Sequence, residues 1–276
     1  MSKRILRTLT LSALAAFAVA LPVLAKDAAS ASAAPTAASA TTKPTIVLVH
    51  GAFADASSWN GVAGELRGKG YPVVAVANPL RSVSGDARYT ASILDKIPGP
   101  VVLVGHSYGG SVISNAAVGQ TRVKALVFVS AFAPETGESV VQLAGKFPGS
   151  TLGDALAAPV PLPEGGVDLY IDQDKFRNQF AADVKPDAAR LMAVGQRPVA
   201  EAALKEASQG TAWKTLPSYY VYGSADKNIP PAAMAWMAER AHARKTLVIR
   251  NASHVVMVSH PHEVAALIET AAHDAE

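Results

Sequence analysis

Short apolar runs alternate with amphipathic stretches along most of this chain. Six runs are rich in β-branched or aromatic residues, which is typical of strands that are buried on both faces of a parallel sheet. These runs are Thr45 to His50, Pro72 to Ala77, Val101 to Gly105, Ala125 to Val129, Ser218 to Tyr222 and Thr246 to Ile249.

Five stretches between these runs have apolar residues at helical spacing, so each of them is expected to lay one face on a sheet. Strands that alternate with helices indicate βαβ units with right-handed crossovers. We therefore predict an α/β fold, with a doubly wound, mostly parallel six-stranded sheet and helices on both faces. The predicted helices are Trp59 to Lys69, Ala87 to Ile97, Gly110 to Val118, Pro231 to Ala243 and Pro261 to Ala272.

One long segment, residues 133–213, interrupts this alternation. It contains Pro-rich and Gly-rich stretches and short helical patterns, and Asp168 to Ile171 is a candidate for a short strand of its own. An insertion of this length between sheet strands is usually a functional lid. We predict a hydrolase-type core from residues 44–132 and 214–276, with residues 133–213 inserted as a cap.

The N-terminus has the pattern of an export signal. Three basic residues within the first seven positions precede an uncharged apolar stretch from Leu9 to Leu24, and Val23-Leu24-Ala25 supplies the small residues of a cleavage site. We predict a signal peptide over residues 1–25 and a flexible Ala/Ser/Thr-rich tether over 26–43. The alternative is an uncleaved membrane anchor, but the stretch is short for a span. The expected location is periplasmic or secreted, with no stable membrane span after processing.

Composition and charge narrow the possible functions. The first 25 residues hold three of the 25 Lys and Arg and no Asp or Glu, so the remainder is formally neutral, with 22 of each sign. A neutral chain without a basic cluster is not expected to bind nucleic acid. The absence of Cys excludes a disulfide framework, a thiolate nucleophile and a Cys-ligated metal. No pattern in the sequence predicts an oligomeric state.

A G-x-S-x-G motif lies where a predicted strand meets a predicted helix. The run Gly105-His106-Ser107-Tyr108-Gly109 has the strand-turn-helix context of a nucleophile elbow, in which a sharp turn exposes the serine hydroxyl. The flanking glycines allow close backbone approach where a Cβ would clash. The motif also occurs by chance as a tight turn with an incidental serine, and its context favours Ser107 as a nucleophile.

A serine nucleophile needs a general base, and the base needs an acid to orient it. Asp226 lies in the loop after the run Ser218 to Tyr222, and His254 follows the last predicted strand. The order serine, acid, histidine is the order used by hydrolases of this topology. Glu135, just beyond the fourth predicted strand, is the alternative acid.

The oxyanion of a tetrahedral intermediate needs two N–H donors. The backbone N–H of Tyr108 follows the nucleophile, and the loop after the first strand offers Ala52, with Phe53 as a near alternative.

Five large side chains lie near these loops in the sequence. As a set they are expected to line an apolar substrate pocket, although each one singly is equally consistent with ordinary packing. They are Phe53, Tyr108, Phe132, Trp213 and Met257.

These residues resemble the α/β-hydrolase superfamily. Residues 47–53 with Ser57-Ser58-Trp59 are similar to the oxyanion loop and first helix of small bacterial α/β-fold esterases and of plant methyl esterases and hydroxynitrile lyases. Residues 100–110 are similar to the nucleophile elbow of these proteins, and residues 252–254 are similar to their histidine loop. The resemblance spans Thr45 to about Ala272. It implies a six-stranded core, a small cap after the fourth strand, the same triad, and neither cofactor nor metal.

The expected activity is hydrolysis of a small-molecule carboxylic ester through an acyl-enzyme. Lactone opening, cofactor-free perhydrolysis, and ligand binding without turnover on a hydrolase scaffold are the alternatives. Ser107 argues against haloalkane dehalogenation, which needs a carboxylate nucleophile. The resemblance implies a lysine beside the catalytic histidine in hydroxynitrile lyases, where this chain has Val255, although Lys227 beside Asp226 leaves lyase chemistry open.

Overall fold

The computed structural model describes residues 43–275. The predicted signal peptide, and the tether up to residue 42, lie outside the described residues. All neighbouring strands of the main sheet run parallel, which confirms the predicted α/β fold. The strands, in the spatial order β2-β1-β3-β4-β8-β9, are β1 (Thr45–Val49), β2 (Val73–Val76), β3 (Val101–His106), β4 (Val123–Val129), β8 (Ser218–Gly223) and β9 (Lys245–Ile249).

Four long helices connect these strands, and a fifth follows the last strand. The second begins four residues before the predicted Ala87, because the Ser82 hydroxyl caps its first turn by accepting from Gly85 N at 3.0 Å. The short α10 (Val256–Ser259) follows β9. The five helices are α1 (Asn60–Gly68), α2 (Val83–Leu94), α3 (Gly109–Ala116), α9 (Pro231–Arg240) and α11 (Pro261–His273).

The centre of the sheet contains a topological switch point. From β1 the sheet continues to β2 on one side and to β3 on the other, so the loops that leave β1 and β3 diverge at the carboxyl edge. Ligands of open parallel sheets bind at such a point. Val47 of β1 pairs with Leu103 of β3, which pairs with Leu126 of β4, and all three side chains are fully buried.

Residues 133–213 add no strand to the main sheet. They form five short helices, a small antiparallel sheet in the order β5-β6-β7, and part of a 3-10 turn over Ala212–Lys214. The short strand β6 overlaps the predicted strand Asp168 to Ile171. The elements are α4 (Val140–Ala144), α5 (Leu152–Ala155), β5 (Val160–Pro161), β6 (Val167–Leu169), α6 (Gln173–Phe180), α7 (Pro186–Gly195), β7 (Val199–Ala200) and α8 (Glu201–Lys205).

This cap segment is tied to the loop after β2. The Arg81 guanidinium donates to Asp168 Oδ1 at 2.7 Å and to the Pro198 carbonyl at 2.9 Å. Ala200 N donates to the Leu80 carbonyl at 3.0 Å. These contacts hold the small sheet against the loop that follows β2, at the carboxyl edge of the main sheet. Across residues 43–275, no helix is long and apolar enough to cross a membrane.

Candidate active site

Ser107 follows β3 in a strained turn. Its φ of 54° lies in the left-handed region that side chains with a Cβ rarely adopt. The turn is held because the Ser107 carbonyl accepts from Gly110 N at 2.9 Å and from Phe132 N at 3.2 Å. A Cβ at Gly105 would lie 2.6 Å from the Gly109 carbonyl oxygen, and one at Gly109 would lie 2.6 Å from the Val49 carbonyl oxygen. Both positions of the motif therefore require glycine.

Asp226 and His254 form a buried pair. His254 Nδ1 lies 2.6 Å from Asp226 Oδ2, and the two residues are 1 % and 5 % exposed. Asp226 Oδ1 accepts from the backbone N–H groups of Asn228 at 2.8 Å and Ile229 at 3.0 Å. Because a carboxylate can only accept, the proton of the neutral imidazole lies on Nδ1. The lone pair of Nε2 is then available to take a proton.

The loop that carries His254 is anchored from two sides. His106 donates from Nε2 to the His254 carbonyl at 3.3 Å, and burial keeps the pKa of His106 well below its usual value, so its ring is neutral. The Ser253 hydroxyl donates to Asp183 Oδ1, and the Phe180 carbonyl oxygen lies 3.3 Å from the same hydroxyl oxygen. Phe180 and Asp183 belong to the cap segment, so the cap supports the histidine loop.

The loop after β1 brings Ala52 next to the elbow. A Cβ at Gly51 would lie 2.6 Å from Ser107 Cβ, which shows how closely the two loops approach. Phe53 has a φ of 61°, and its N–H donates to the Arg197 carbonyl at 3.0 Å. The Phe53 N–H is therefore already occupied, whereas Ala52 lines the same cavity as Ser107 and Tyr108. Of the two predicted donors in this loop, the geometry favours Ala52.

Buried polar groups hold both the loop after β1 and the turn that contains Ser107. His50 accepts from Asn78 N at its Nε2, at 3.0 Å, and donates from Nδ1 to the Gly51 carbonyl at 2.9 Å. Burial lowers the pKa of His50 to about 4, so the ring is neutral. On the elbow, the Tyr108 hydroxyl donates to Asp86 Oδ2 at 2.8 Å, and burial raises the pKa of both groups.

A cavity of about 350 Å³ opens above Ser107. Ser107, His254, Ala52 and Tyr108 line it together, and Ser107 is 7 % exposed. Most of the remaining wall is apolar. Two of the predicted pocket residues, Phe53 and Phe132, belong to this wall, with Val140, Val141, Ala144, Leu152, Leu156, Leu169, Phe180, Leu204 and Ile229.

Two other predicted pocket residues lie outside this cavity. Trp213 donates from Nε1 to the Pro134 carbonyl at 2.8 Å, packs against the Arg240 guanidinium, and lines a separate surface depression. Met257 follows His254 by three residues in the sequence. Its position in α10 places its side chain in the core, where it is fully buried. Proximity in the sequence did not translate into proximity in the cavity for these two residues.

The alternative acid, Glu135, has a different partner. Its carboxylate lies 2.6 Å from Lys214 Nζ, and that hydrogen bond lowers the Glu135 pKa. It lines the same surface depression as Trp213. Lys227 likewise points elsewhere, because its Nζ donates to Asn178 Oδ1 at 2.9 Å in a separate groove.

Most of the apolar wall comes from cap residues that the sequence analysis did not identify. Phe180 is the clearest case, since its ring lies 5.1 Å from the His254 ring and 6.2 Å from the Phe53 ring, measured between centroids. The spacing of Phe176 and Phe180 by four residues on an otherwise polar helix was a signal of one apolar face. The cap's fold was needed to show where that face points.

The described residues hold few charges at the cavity. Glu201 and Lys205 lie at its rim and pair with each other at 2.8 Å, so the rim is formally neutral. Within residues 43–275, no group of three or more His, Asp and Glu side chains is arranged to hold a metal ion.

Residues 46–267 of the chain match the family described as "Alpha/beta hydrolase family". Among known proteins, the chain is similar to an alpha-hydroxynitrile lyase of Arabidopsis thaliana, with 27 % identity over 79 % of this chain and 93 % of the relative. It is also similar to esterase PIR7B of Oryza sativa subsp. japonica, with 27 % identity over 83 % of this chain and 96 % of the relative.

Solved structures give the same fold. The crystal structure of polyneuridine aldehyde esterase superposes with a TM-score of 0.72 and 23 % identity, over 83 % of this chain and 98 % of the other. The agreement extends through the core and the inserted segment, because nearly the whole of that esterase is covered.

Proposed function

Because the chain belongs to the alpha/beta hydrolase family, we propose that it is an exported serine hydrolase that cleaves an uncharged, largely apolar carboxylic ester. Ser107 is the nucleophile, His254 the general base and acid, and Asp226 the residue that orients His254. The backbone N–H groups of Ala52 and Tyr108 form the oxyanion hole.

One observation carries this proposal: Ser107, in its strained turn, lines the same apolar cavity as Ala52, Tyr108 and the His254 of the buried His–Asp pair. Ser107 and His254 line the same 350 Å³ space, and His254 Nδ1 lies 2.6 Å from Asp226. Buried, preoriented groups of this kind stabilise charge as it develops, without reorganisation during the reaction.

The reaction proceeds by acyl transfer through the serine. The Ser107 oxygen attacks the ester carbonyl while His254 Nε2 takes its proton, and the carbonyl electrons form an oxyanion that accepts from Ala52 and Tyr108 N–H. Collapse breaks the bond to the alcohol, which leaves with the proton from His254. Water then attacks the acyl-serine by the same route and releases the acid.

The cavity wall supports an uncharged substrate. Its lining is mostly aliphatic and aromatic, and the Glu201–Lys205 pair at the rim is internally neutralised. A charged substrate group would lose its hydration there without gaining a partner. Esterase names among the relatives, such as the rice esterase, support ester cleavage.

The position of Lys227 favours hydrolysis over cyanohydrin cleavage. A lyase needs a cation near the leaving cyanide, and Val255 follows His254 where the hydroxynitrile lyases are expected to have lysine. Lys227 is engaged by Asn178 and lines a different groove. Among the described residues, no Lys other than the paired Lys205 lines the cavity.

A panel of p-nitrophenyl esters of increasing acyl length tests the proposal. We expect turnover that falls by about 10⁴-fold or more in Ser107→Ala. Ser111→Ala is the matched control, because Ser111 is a buried serine of α3 that does not line the cavity, and it should keep wild-type turnover. Equal turnover in Ser107→Ala and wild type would refute the serine mechanism.

Export is proposed from residues 1–25 alone. N-terminal sequencing of the protein recovered from the periplasm or medium should begin after Ala25. Recovery of full-length protein in the membrane fraction would instead identify an uncleaved anchor.

A further inference from the structure

Phe53 lies at the boundary between two cavities. The catalytic cavity above Ser107, of about 350 Å³, is lined by Ala52 and Phe53, whereas a second cavity of about 240 Å³ is lined by Phe53 and Ala54. The loop after β1 therefore passes from one cavity to the other at Phe53. Among the described residues, Phe53 is the only one that lines both cavities.

The second cavity lies between the loop after β1 and the cap. Its apolar side chains are Ala188, Leu191 and Met192 of α7 and Val258 of α10, and polar groups come from Gln196 and from the turn that precedes α1. A hydrocarbon chain that reached this space would bury apolar surface there. The space beyond Phe53 is thus compatible with a longer apolar substrate.

Phe53 is held both by its backbone and by its ring. Its N–H donates to the Arg197 carbonyl at 3.0 Å. Its ring lies edge-on to the Phe180 ring, with 6.2 Å between the centroids and 89° between the planes. The Phe180 ring in turn lies 5.1 Å from the His254 ring. The Phe53 ring therefore belongs to the aromatic wall that begins at the candidate general base.

The backbone conformation of Phe53 disfavours a side chain. Its φ of 61° lies in the left-handed region, which glycine adopts without the steric cost that a Cβ brings. Residues that retain such strain cluster at functional sites. A phenylalanine at this position, where glycine would fit the backbone better, indicates that the ring has a role of its own.

We propose that Phe53 is a specificity-determining residue whose ring ends the catalytic cavity on the side of the second cavity and thereby limits the length of the substrate. The preferred substrates are then compact apolar esters that fit within about 350 Å³. The limit is steric, because the space beyond the ring is also largely apolar and would otherwise stabilise a longer chain. This inference rests on the proposed ester hydrolysis.

Two series of esters test the inference: p-nitrophenyl esters of unbranched acids from acetyl to hexadecanoyl, and acetate esters of unbranched alcohols over the same lengths. Each buried CH₂ should raise wild-type kcat/KM by up to about 4-fold. In at least one series, kcat/KM should then pass through a maximum and fall where the chain meets Phe53.

Phe53→Leu and Phe53→Gly should move this maximum to longer chains. For the first ester beyond the wild-type maximum, kcat/KM relative to the ester at the maximum should rise from below about 1 to about 4. Because both esters are measured on the same variant, a general loss of kcat cancels in this ratio. Phe53→Gly also relieves the strained φ, so it decides the matter if Phe53→Leu does not fold.

A large side chain in the second cavity provides the matched control. Ala188→Trp adds bulk to a residue that lines this cavity, so in the Phe53→Gly background it should return the maximum to the wild-type length. Phe132→Leu is the same change at a phenylalanine that lines only the catalytic cavity. Any shift of the maximum in Phe132→Leu should persist when Ala188→Trp is added.

A wild-type kcat/KM that rises through the whole of both series would overturn the inference. A maximum that stays in place in both Phe53 variants, or that Ala188→Trp fails to restore, would do the same. Failure of the proposed function is recognised separately, because it abolishes turnover of every ester. In that case calorimetric binding of alkyl methyl ketones of the same lengths gives the length profile without turnover.

Discussion

Asp226 is held by its neighbours at both carboxylate oxygens. One oxygen accepts two backbone N–H groups, from Asn228 and Ile229, and the other faces His254. The carboxylate therefore cannot rotate without losing two bonds, and it fixes the His254 ring in the tautomer that leaves Nε2 free. The sequence predicts Asp226 as the acid from its loop and its order in the chain, and that role stays a prediction, whereas the two backbone donors to its carboxylate became visible only in the fold.

Substitution of Asp226 and of Glu135 tests which of the two carboxylates is the acid. Asp226→Asn should lower kcat by about 10⁴-fold, because an amide presents NH₂ to Nδ1 or leaves it without an acceptor, and the wrong tautomer results. Glu135→Gln, at the surface pair with Lys214, should keep near wild-type kcat on the same ester. Loss of activity in Glu135→Gln with retention in Asp226→Asn would reverse the assignment.

Asp183 acts on the histidine loop through Ser253. Asp183→Ala removes the carboxylate acceptor of the Ser253 hydroxyl and leaves it only the more distant Phe180 carbonyl, so His254 should lose precise placement and kcat should fall by about 10- to 100-fold. Asp183→Asn retains an acceptor oxygen and should restore most of kcat. Equal losses of kcat in the two variants would indicate that charge, and not positioning, is the contribution of Asp183.

At the scale of elements, the β-strands and the elbow could be predicted because their signals are local. A continuous apolar run gives a buried strand, and two glycines around a serine give the turn. The start of α2 was missed because Gly85 interrupts the helical pattern, whereas the Ser82 hydroxyl supplies the cap. The two-residue strands β5 and β7 are too short to produce any periodic signal, since they depend on pairing with β6.

Two glycines that lie in helices differ in whether the structure leaves room for a side chain. Gly109 in α3 is buried, and its added Cβ would lie 2.6 Å from the Val49 carbonyl, so Gly109→Ala should lower the free energy of unfolding by about 2 kcal/mol or more. Gly64 in α1 has no heavy atom near such a Cβ, so Gly64→Ala should raise it by about 0.5–1 kcal/mol. Urea denaturation of both variants measures the difference, and a similar effect of both would contradict the steric argument.

At the scale of the whole molecule, buried neutral histidines link stability to pH. His50 and His106 are fully buried, and their pKa values are lowered by that burial, that of His50 to about 4. The unfolded chain takes up protons on both rings near pH 6.5, whereas the folded chain does not. Stability is therefore fully present above about pH 6.5 and is lost as the pH falls towards about 4.

Near pH 5 these two rings should give a slope of roughly 2.5 kcal/mol of unfolding free energy per pH unit. Urea denaturation between pH 5 and 8 measures that slope. In His106→Gln, which keeps a donor for the His254 carbonyl, the slope should fall by about half. A stability that does not change between pH 5 and 6.5 would show that the rings are protonated in the folded state.

The cap explains why the sequence indicated the positions of the candidate triad residues but not the cavity wall. Ser107, Asp226 and His254 follow strands whose order fixes where their loops lie. The apolar wall instead comes from short cap elements, such as the helix ending at Phe180, and their placement depends on tertiary contacts between Arg81 and Asp168 and between Ala200 and Leu80. No local pattern encodes such contacts.

The hydrogen bond from Phe53 N to the Arg197 carbonyl limits how freely this enzyme can be re-engineered. Arg197 belongs to the inserted segment, and its carbonyl accepts from the Phe53 N–H, which is the alternative to Ala52 as the proposed oxyanion donor. A chimera that exchanges residues 133–213 for the insertion of another hydrolase keeps the Phe53 N–H occupied only if the donor segment returns a carbonyl to this point. An exchange of the cap made to change substrate specificity therefore also has to preserve a contact beside the candidate site.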